Sequence, residues 1–549
     1  MEQFISASIA ASSSSTEQVR HAQAFFRQFR ESSSVLEDCR LVLEQGPSLS
    51  QFHAARILGE AAILKWKQLD VTSQRALREY LFQWVCQRAR ITGDPVARAA
   101  RTTAAKAFAI VTKRAWLDLS EIDVKTILSQ WQELANNSTH QEDTALQVTV
   151  GEILISLMHE FSSNKSTGVG LPMGWHHNCR LSFEKRGLPI IVQCSFDRVV
   201  GLVGQGSAQR SHAHHQQCIQ WLTLVEEIFN WFGGIGVGGK ESDGGNNKSR
   251  NENESNGNNN GNGNGRDMTQ LSSQWHDAFV RSDVVQCLFL ARSQAWNEAA
   301  RASGGDTRIL TLLNSVLIHM ASINGPVFVG GVAEIRAYAH TLLNGILRSA
   351  QEIAATRAAN GAANVLTTTA SASVSVSASE IVRINMLFVA STIKRLVDNY
   401  GPIDMLFSSS SNGGGGGGED AAVRTLGQLC TAYLEDAICA SVEDVETNGV
   451  APDPHDASME AFERLLETWT SCVRAASGGE NNNMQFNNNR QQHVTHAVAH
   501  AVATGSECIY QGMVRGRSIV STSVILAGID DDDDEYMNPY EYDDKNQGN

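Results

Sequence analysis

Apolar residues recur along the first 230 positions at helical spacing. Leu77, Tyr80, Leu81, Trp84 and Val85 stand at i, i+3, i+4, i+7 and i+8, one stripe on a 3.6-residue period. Ala55, Leu58, Ala62, Trp66 and Leu69 repeat the pattern, as do Leu146, Val150, Ile153, Leu157 and Phe161. No comparable stretch alternates with period two, so strands are not needed there. The breaks are short. Gly46-Pro47-Ser48 separates two helices, with Ser48 or Ser50 as expected cap. Gly93-Asp94-Pro95 separates two more, with Asp94 as N-cap and Pro95 at the first helical position, where its missing N–H costs nothing. Helix starts are predicted near residues 16, 34, 49, 73, 96, 121 and 141. Paired in order, they give units beginning near 16, 49, 96 and 141, the spacing of HEAT-like and armadillo-like hairpins.

The pairing has a physical cause. A lone amphipathic helix is marginal in water. A hairpin buries one stripe, and stacking the next hairpin buries what remains. The predicted fold class is therefore all-α: a right-handed superhelical α-solenoid of HEAT-like hairpins. Disordered low-complexity loops are expected to interrupt it, because segments rich in Gly, Asn or Ser bury too little apolar surface to fold alone.

The expected organisation is a disordered N-terminus over 1–15 and HEAT-like repeats over 16–232. A Gly/Asn-rich insertion follows over 233–267, then repeats over 268–357. Next come a low-complexity insertion over 358–379, helix over 380–407 and a Ser/Gly insertion over 408–420. Helices over 421–477 include the stripe Met459, Phe462, Leu466, Trp469 and Val473. An Asn-rich insertion over 478–492, helix over 493–529 and an acidic disordered tail over 530–549 complete the chain.

Composition narrows the function classes. The 549 residues exceed what one hydrophobic core organises. Hydrophobic residues make up 42%, enough to bury a core, and nine prolines suit long helices. A net charge of −15 argues against direct nucleic-acid binding, which needs basic side chains on phosphates. Charge is uneven: Thr16–Lys125 carries 17 basic and 12 acidic residues, Glu419–Thr470 carries 2 and 12. No apolar run reaches the length of a membrane span, and no arginine-rich or signal-like leader opens the chain. Ten scattered cysteines without a Cys-x-x-Cys pair read as free thiols in a reducing compartment.

Candidate chemistry is sparse. His212, His214 and His215 precede Cys218, and His176 and His177 precede Cys179, but neither cluster has a second ligand pair at metal spacing. His493, His496 and His500 share a helical face without the Glu of a zinc-protease motif. Gly234, Gly236 and Gly239 follow a helix, whereas a dinucleotide turn follows a strand. The Gly413–Gly418 run lacks the Gly-Lys-Ser/Thr ending of a P-loop. No catalytic, cofactor-binding or metal residue is assigned; the expectation is no enzyme and no cofactor. Trp66, Trp84, Trp116, Trp131 and Trp469 sit in helical stripes and read as core.

Four collinear segments carry a resemblance. Lys113-Arg114-Ala115-Trp116-Leu117-Asp118-Leu119-Ser120 is similar to the Lys-Arg-Gly-Trp-Leu-Asp stretch of exportin-4-type nuclear transport receptors, of the importin-β (karyopherin) superfamily. His159-Glu160-Phe161-Ser162-Ser163, Gly170-Leu171, Trp175-His176 and Asn178-Cys179-Arg180 resemble the same receptors in the same order. So do Asn324-Gly325-Pro326-Val327-Phe328 and the run from Ser458 to Trp469. His21-Ala22 and Phe25 resemble their start.

The resemblance implies a nuclear export receptor that binds Ran-GTP and protein cargo cooperatively, with translation initiation factor 5A as candidate cargo. It implies Phe-Gly nucleoporins as further partners, no membrane partner, and shuttling between nucleus and cytoplasm. Ran is expected on the N-terminal repeats, with no residue singled out. Family members are about twice as long, so the chain is expected to match their N-terminal half. The alternative is a HEAT-repeat interaction scaffold without Ran dependence.

Overall fold

A computed structural model describes residues 1–400 apart from 92, 137–143, 163–171, 204–211, 234–268, 302–306 and 367–372, together with Arg464, Glu467 and Thr468. The described part is mostly helical. It begins with α1 (Glu2–Ala11), α2 (Thr16–Glu31), α3 (Val35–Gln45), α4 (Ser48–Lys65), α5 (Val71–Gln87) and α6 (Pro95–Ala115). Then come α7 (Glu121–Asn136), α8 (Thr144–Ser162), α9 (Met173–Arg186), α10 (Leu188–Val203) and α11 (His212–Gly233). After the segment 234–268 stand the short α12 (His276–Phe279), then α13 (Ser282–Arg301), α14 (Arg308–Ala321), α15 (Gly331–Leu366) and α16 (Ser373–Tyr400). All belong to one unit, Met1–Gly401; a second unit takes the chain from Pro402 on.

Within the first unit the helices pack in two rows, in chain order. In one row α4 contacts α6, α6 contacts α8, α8 contacts α11, α11 contacts α14, and α14 contacts α16. In the other, α7 contacts α10, α10 contacts α13 and α13 contacts α15. The rows are tied by α3 on α4, α5 on α6, α7 on α8, α10 on α11, α13 on α14 and α15 on α16. Small residues set the closeness of the first row. A Cβ on Gly59 would lie 3.2 Å from Ala107 Cβ, and one on Gly151 would lie 2.6 Å from Gln220 Cγ.

Most positions of the predicted stripes form the core, while Leu69 and Leu146 are half-buried. Leu77, Leu81, Trp84 and Val85 are buried, with Tyr80 at the rim; Ala55, Leu58, Ala62 and Trp66 are buried, as are Val150, Ile153, Leu157 and Phe161. Asp94 caps α6 as expected: its Oδ1 accepts from Val96 N–H at 2.8 Å, and Pro95 follows it. Neither expected serine caps α4. Pro47 precedes the helix, Ser48 Oγ donates to Asp94 Oδ2 at 2.7 Å, and Ser50 is buried.

Three further expectations are corrected. Residues 1–15, expected to be disordered, contain α1, because Phe4 buries its ring among Phe25, Phe26 and Phe29, the nearest centroid 4.9 Å away. The hairpin phase is shifted by one helix. Units beginning at 49 and 96 would pair α4 with α5 and α6 with α7, whereas α4 pairs back with α3 and α6 with α5. The tight Gly46-Pro47 turn, with Gly46 N–H on Val42 C=O at 2.8 Å, is the intra-hairpin turn. The longer 3-10 segment Trp66–Gln68, ended by the Asp70 cap, is the link between hairpins. Finally, much of 358–379 is helix, since α15 runs to Leu366 and α16 starts at Ser373. Alanine is the best helix former, and extending an existing helix avoids a new nucleus. The segment 234–268, the expected insertions over 408–420 and 478–492, and the expected helices beyond 400 lie outside the described residues, Arg464, Glu467 and Thr468 excepted.

One irregular junction joins the later helices. Thr269–Gln270 pairs in parallel with Ile323–Asn324, and Gly325 turns the chain at a φ of 96°. Leu271 N–H donates to Asn324 C=O at 3.0 Å, and Val327 N–H donates to Leu271 C=O at 2.9 Å. Tyr400 Oη–H, from the end of α16, donates to Ile323 C=O at 2.6 Å.

Candidate partner-binding surface

Polar side chains link the helices of the row α4–α6–α8–α11–α14 across their boundaries, some of them buried. Arg30 reaches Glu60 at 2.6 Å from α2 to α4. Arg101 of α6 grips Glu152 of α8 through two bonds of 3.1 Å, and its Nη1 also donates to Ala89 C=O at 3.1 Å. His159 of α8 meets Glu227 of α11 at 3.1 Å. Ser315 of α14 donates to Glu226 of α11 at 2.6 Å. Each link spans neighbouring helices, so these contacts report their spacing.

The His159–Glu227 link is sensitive to pH. The bond to Glu227 raises the His159 pKa, against partial burial and Lys106. The same bond lowers the Glu227 pKa, and Asn230 adds to it. A raised histidine contributes stability that is full below its ordinary value of 6.5 and is lost as pH rises through the raised value. A lowered glutamate contributes above its ordinary 4.5 and loses that contribution as pH falls. The link is therefore fullest between these two values. Hydrogen exchange in α8 and α11 is expected to quicken from pH 6 to pH 8 beyond the intrinsic rate. His159→Gln should remove that extra change; an unchanged profile would show that the link carries none of it.

Two of the segments singled out in the sequence, 113–120 and 159–163, meet in space. Lys113, at the end of α6, is 1% exposed and lies 3.5 Å from the Glu160 carboxylate of α8. Its Nζ also donates to Glu160 C=O at 2.5 Å. Trp116 stands edge-on to Phe161 and Phe183, both centroids at 5.3 Å. Cys179 Sγ–H points to Lys113 C=O at 3.8 Å, and Arg114 lies over the Trp175 ring at 5.8 Å. Burial raises the Glu160 pKa, and Lys113 opposes the rise. The cluster is a packing node of α6, α8 and α9. Sequence periodicity reveals the tryptophan but not the buried lysine, which looks like an ordinary surface residue.

Among the described residues, the histidines and cysteines noted in the sequence do not gather into a metal site. His176 is buried beside Lys113 and Arg114, which, after burial, lower its pKa; His177 faces solvent. His212, His214 and His215 occupy the first turn of α11, with Cys218 buried a turn later. Among the described residues no three His, Cys, Asp or Glu stand close enough to hold an ion. Burial pushes the thiols of Cys39 and Cys179 up to about 12 and those of Cys86 and Cys194 up to about 11, the character of packed sulfur rather than of nucleophiles. Trp66, Trp84, Trp116 and Trp131 are buried core residues. Trp469, His493, His496, His500, Gly234, Gly236, Gly239 and Gly413–Gly418 lie outside the described residues. Among the described residues no helix is long and apolar enough to cross a membrane. No family model matches the chain.

Proposed function

We propose that this chain is a nuclear transport receptor of the exportin-4 type, a superhelical HEAT-like solenoid that binds Ran-GTP and protein cargo together. The observation that carries the reading is the run of four collinear segments between Lys113 and Trp469 that resemble those receptors. Two facts support it. The first two segments, far apart in sequence, converge on the Lys113–Trp116–Glu160–Phe161 node. The helices also stack in chain order in two rows, the packing that a solenoid requires.

In such a stack each hairpin touches only its neighbours, so small rotations add into a change of curvature. Cargo and Ran-GTP that favour the same curvature raise each other's affinity by the same factor. Coupling of about 1–3 kcal/mol gives roughly 5–150-fold cooperativity. Ran would engage the N-terminal repeats, initiation factor 5A is the candidate cargo, and contacts with Phe-Gly nucleoporins would let the receptor carry the complex through the pore between nucleus and cytoplasm.

The test is a titration of labelled Ran, in its GTP and GDP forms, with and without initiation factor 5A. The receptor reading expects tight binding of the GTP form alone, tightened further by cargo. Binding that ignores the nucleotide would leave a HEAT-repeat scaffold without Ran dependence.

A further inference from the structure

Between α5 and α7, over α6, lies a shallow open cleft lined by residues of both helices. Val71, Arg75, Arg78 and Phe82 follow each other at i, i+4, i+7 and i+11 on one face of α5. Ile122, Thr126 and Gln130 do the same on α7. The floor is aromatic: Phe82 and Phe108 have centroids 5.5 Å apart, and Trp131 stands edge-on to Phe108 at 6.4 Å. Beyond the polar stretch, on the same two faces, lie Val71 and Ile122, 81% and 77% exposed.

The charges are unevenly matched. Arg75 holds both nearby carboxylates, Glu79 at 2.9 Å and Asp123 at 3.7 Å. Arg78 is only 6% exposed, lines the cleft, and has no carboxylate within ion-pair distance among the described residues. Glu79 and Asp123 act on it only from farther away, and burial lowers its pKa against their pull. Its guanidinium nitrogens are not sealed off from the cleft. A buried guanidinium without a partner is costly, and five donors in a planar fork match a carboxylate.

We infer that this cleft docks an extended segment of a partner protein, whose Asp or Glu carboxylate pairs with Arg78 while flanking apolar side chains cover the aromatic floor and the Val71–Ile122 end. The helix sets the spacing. Arg78 to Val71 is about 10 Å at 1.5 Å per residue, or about three residues of extended chain. Arg78 to Phe82 is about 6 Å by the same rise, or about two residues. The recognised pattern is an aromatic residue, a spacer, an acidic residue, two spacers and an aliphatic residue, in one chain direction or the other. This surface is independent of Ran and of the transport reading.

The probes are two fluorescein-labelled peptides, Phe-Ser-Glu-Ser-Ser-Leu and its reverse, each flanked by Gly-Ser and titrated into the full chain by fluorescence anisotropy. One of them is expected to bind saturably. Replacing its Glu with Gln, or introducing Arg78→Gln, should weaken binding about tenfold or more, the worth of a charge-assisted pair. Arg78→Lys should retain part of it. Arg78→Met is expected to leave the thermal midpoint unchanged or raise it, because it removes an unmatched buried charge. A marked drop in that midpoint would assign Arg78 to the fold and overturn the inference. So would saturable binding of neither peptide, equal binding to Arg78→Gln, or capture of a phosphoserine version with no capture of the Glu peptide.

Discussion

Replacing Trp116 with alanine should destabilise the first unit by about 4 kcal/mol, in the range for truncating a fully buried tryptophan. Trp116 is wholly buried, and its loss would strip edge-on contacts from Phe161 and Phe183, which stack on each other at 4.1 Å. It would also leave Arg186, 5.6 Å from the indole ring, without that face to lie on. Trp116→Phe should cost far less, because the indole N–H has no partner to lose. Urea denaturation gives the magnitude, and hydrogen exchange gives the location. If each hairpin leans only on its neighbours, protection falls in α6, α8 and α9 and holds in α13–α16. A uniform loss would reveal one cooperative core and remove the basis for curvature changes. Equal costs for the two variants would show that the N–H matters after all.

That test also probes how far sequence patterning reaches. Apolar period places helices: starts predicted near 16, 34, 49 and 121 fall at Thr16, Val35, Ser48 and Glu121. It does so because a stripe that must be buried is written locally. Which neighbour buries it is not local. The Gly46-Pro47 break and the helix start predicted near 73 carry no mark of which of them closes a hairpin, yet only the first does, and the hairpin phase is shifted accordingly. Phe4 escapes the sequence pattern for the same reason. Nothing in the serine-rich leader signals that three phenylalanines of α2 wait for it. Buried charges are the least legible. Lys113, Arg101, Arg78 and Arg292 are spelled like surface residues, and only the fold reveals that a carboxylate meets three of them and not the fourth.

Arg292 makes the strongest case that such charges fix the packing. It is fully buried on α13, and its Nε donates to Asn314 Oδ1 of α14 at 2.9 Å. Its Nη2 donates to Asn385 Oδ1 of α16, its Nη1 lies 3.7 Å from Glu352 of α15, and its guanidinium sits 4.4 Å from the Phe388 ring centre. One side chain thus joins four helices across both rows. Arg292→Ala should cost about 3–5 kcal/mol, because it leaves a half-buried carboxylate and two asparagine oxygens without their cation. Arg292→Met restores the volume but not the pairing, so it should recover little. Combining Arg292→Met with Asn314→Leu and Asn385→Leu removes most of the stranded polar groups together. Buried ionic sets replaced whole by apolar side chains are often as stable as before. The triple variant is therefore expected to denature in urea at a higher midpoint than Arg292→Met alone. A triple variant less stable than the single one would mean that the asparagines hold α14 and α16 together without help from the arginine.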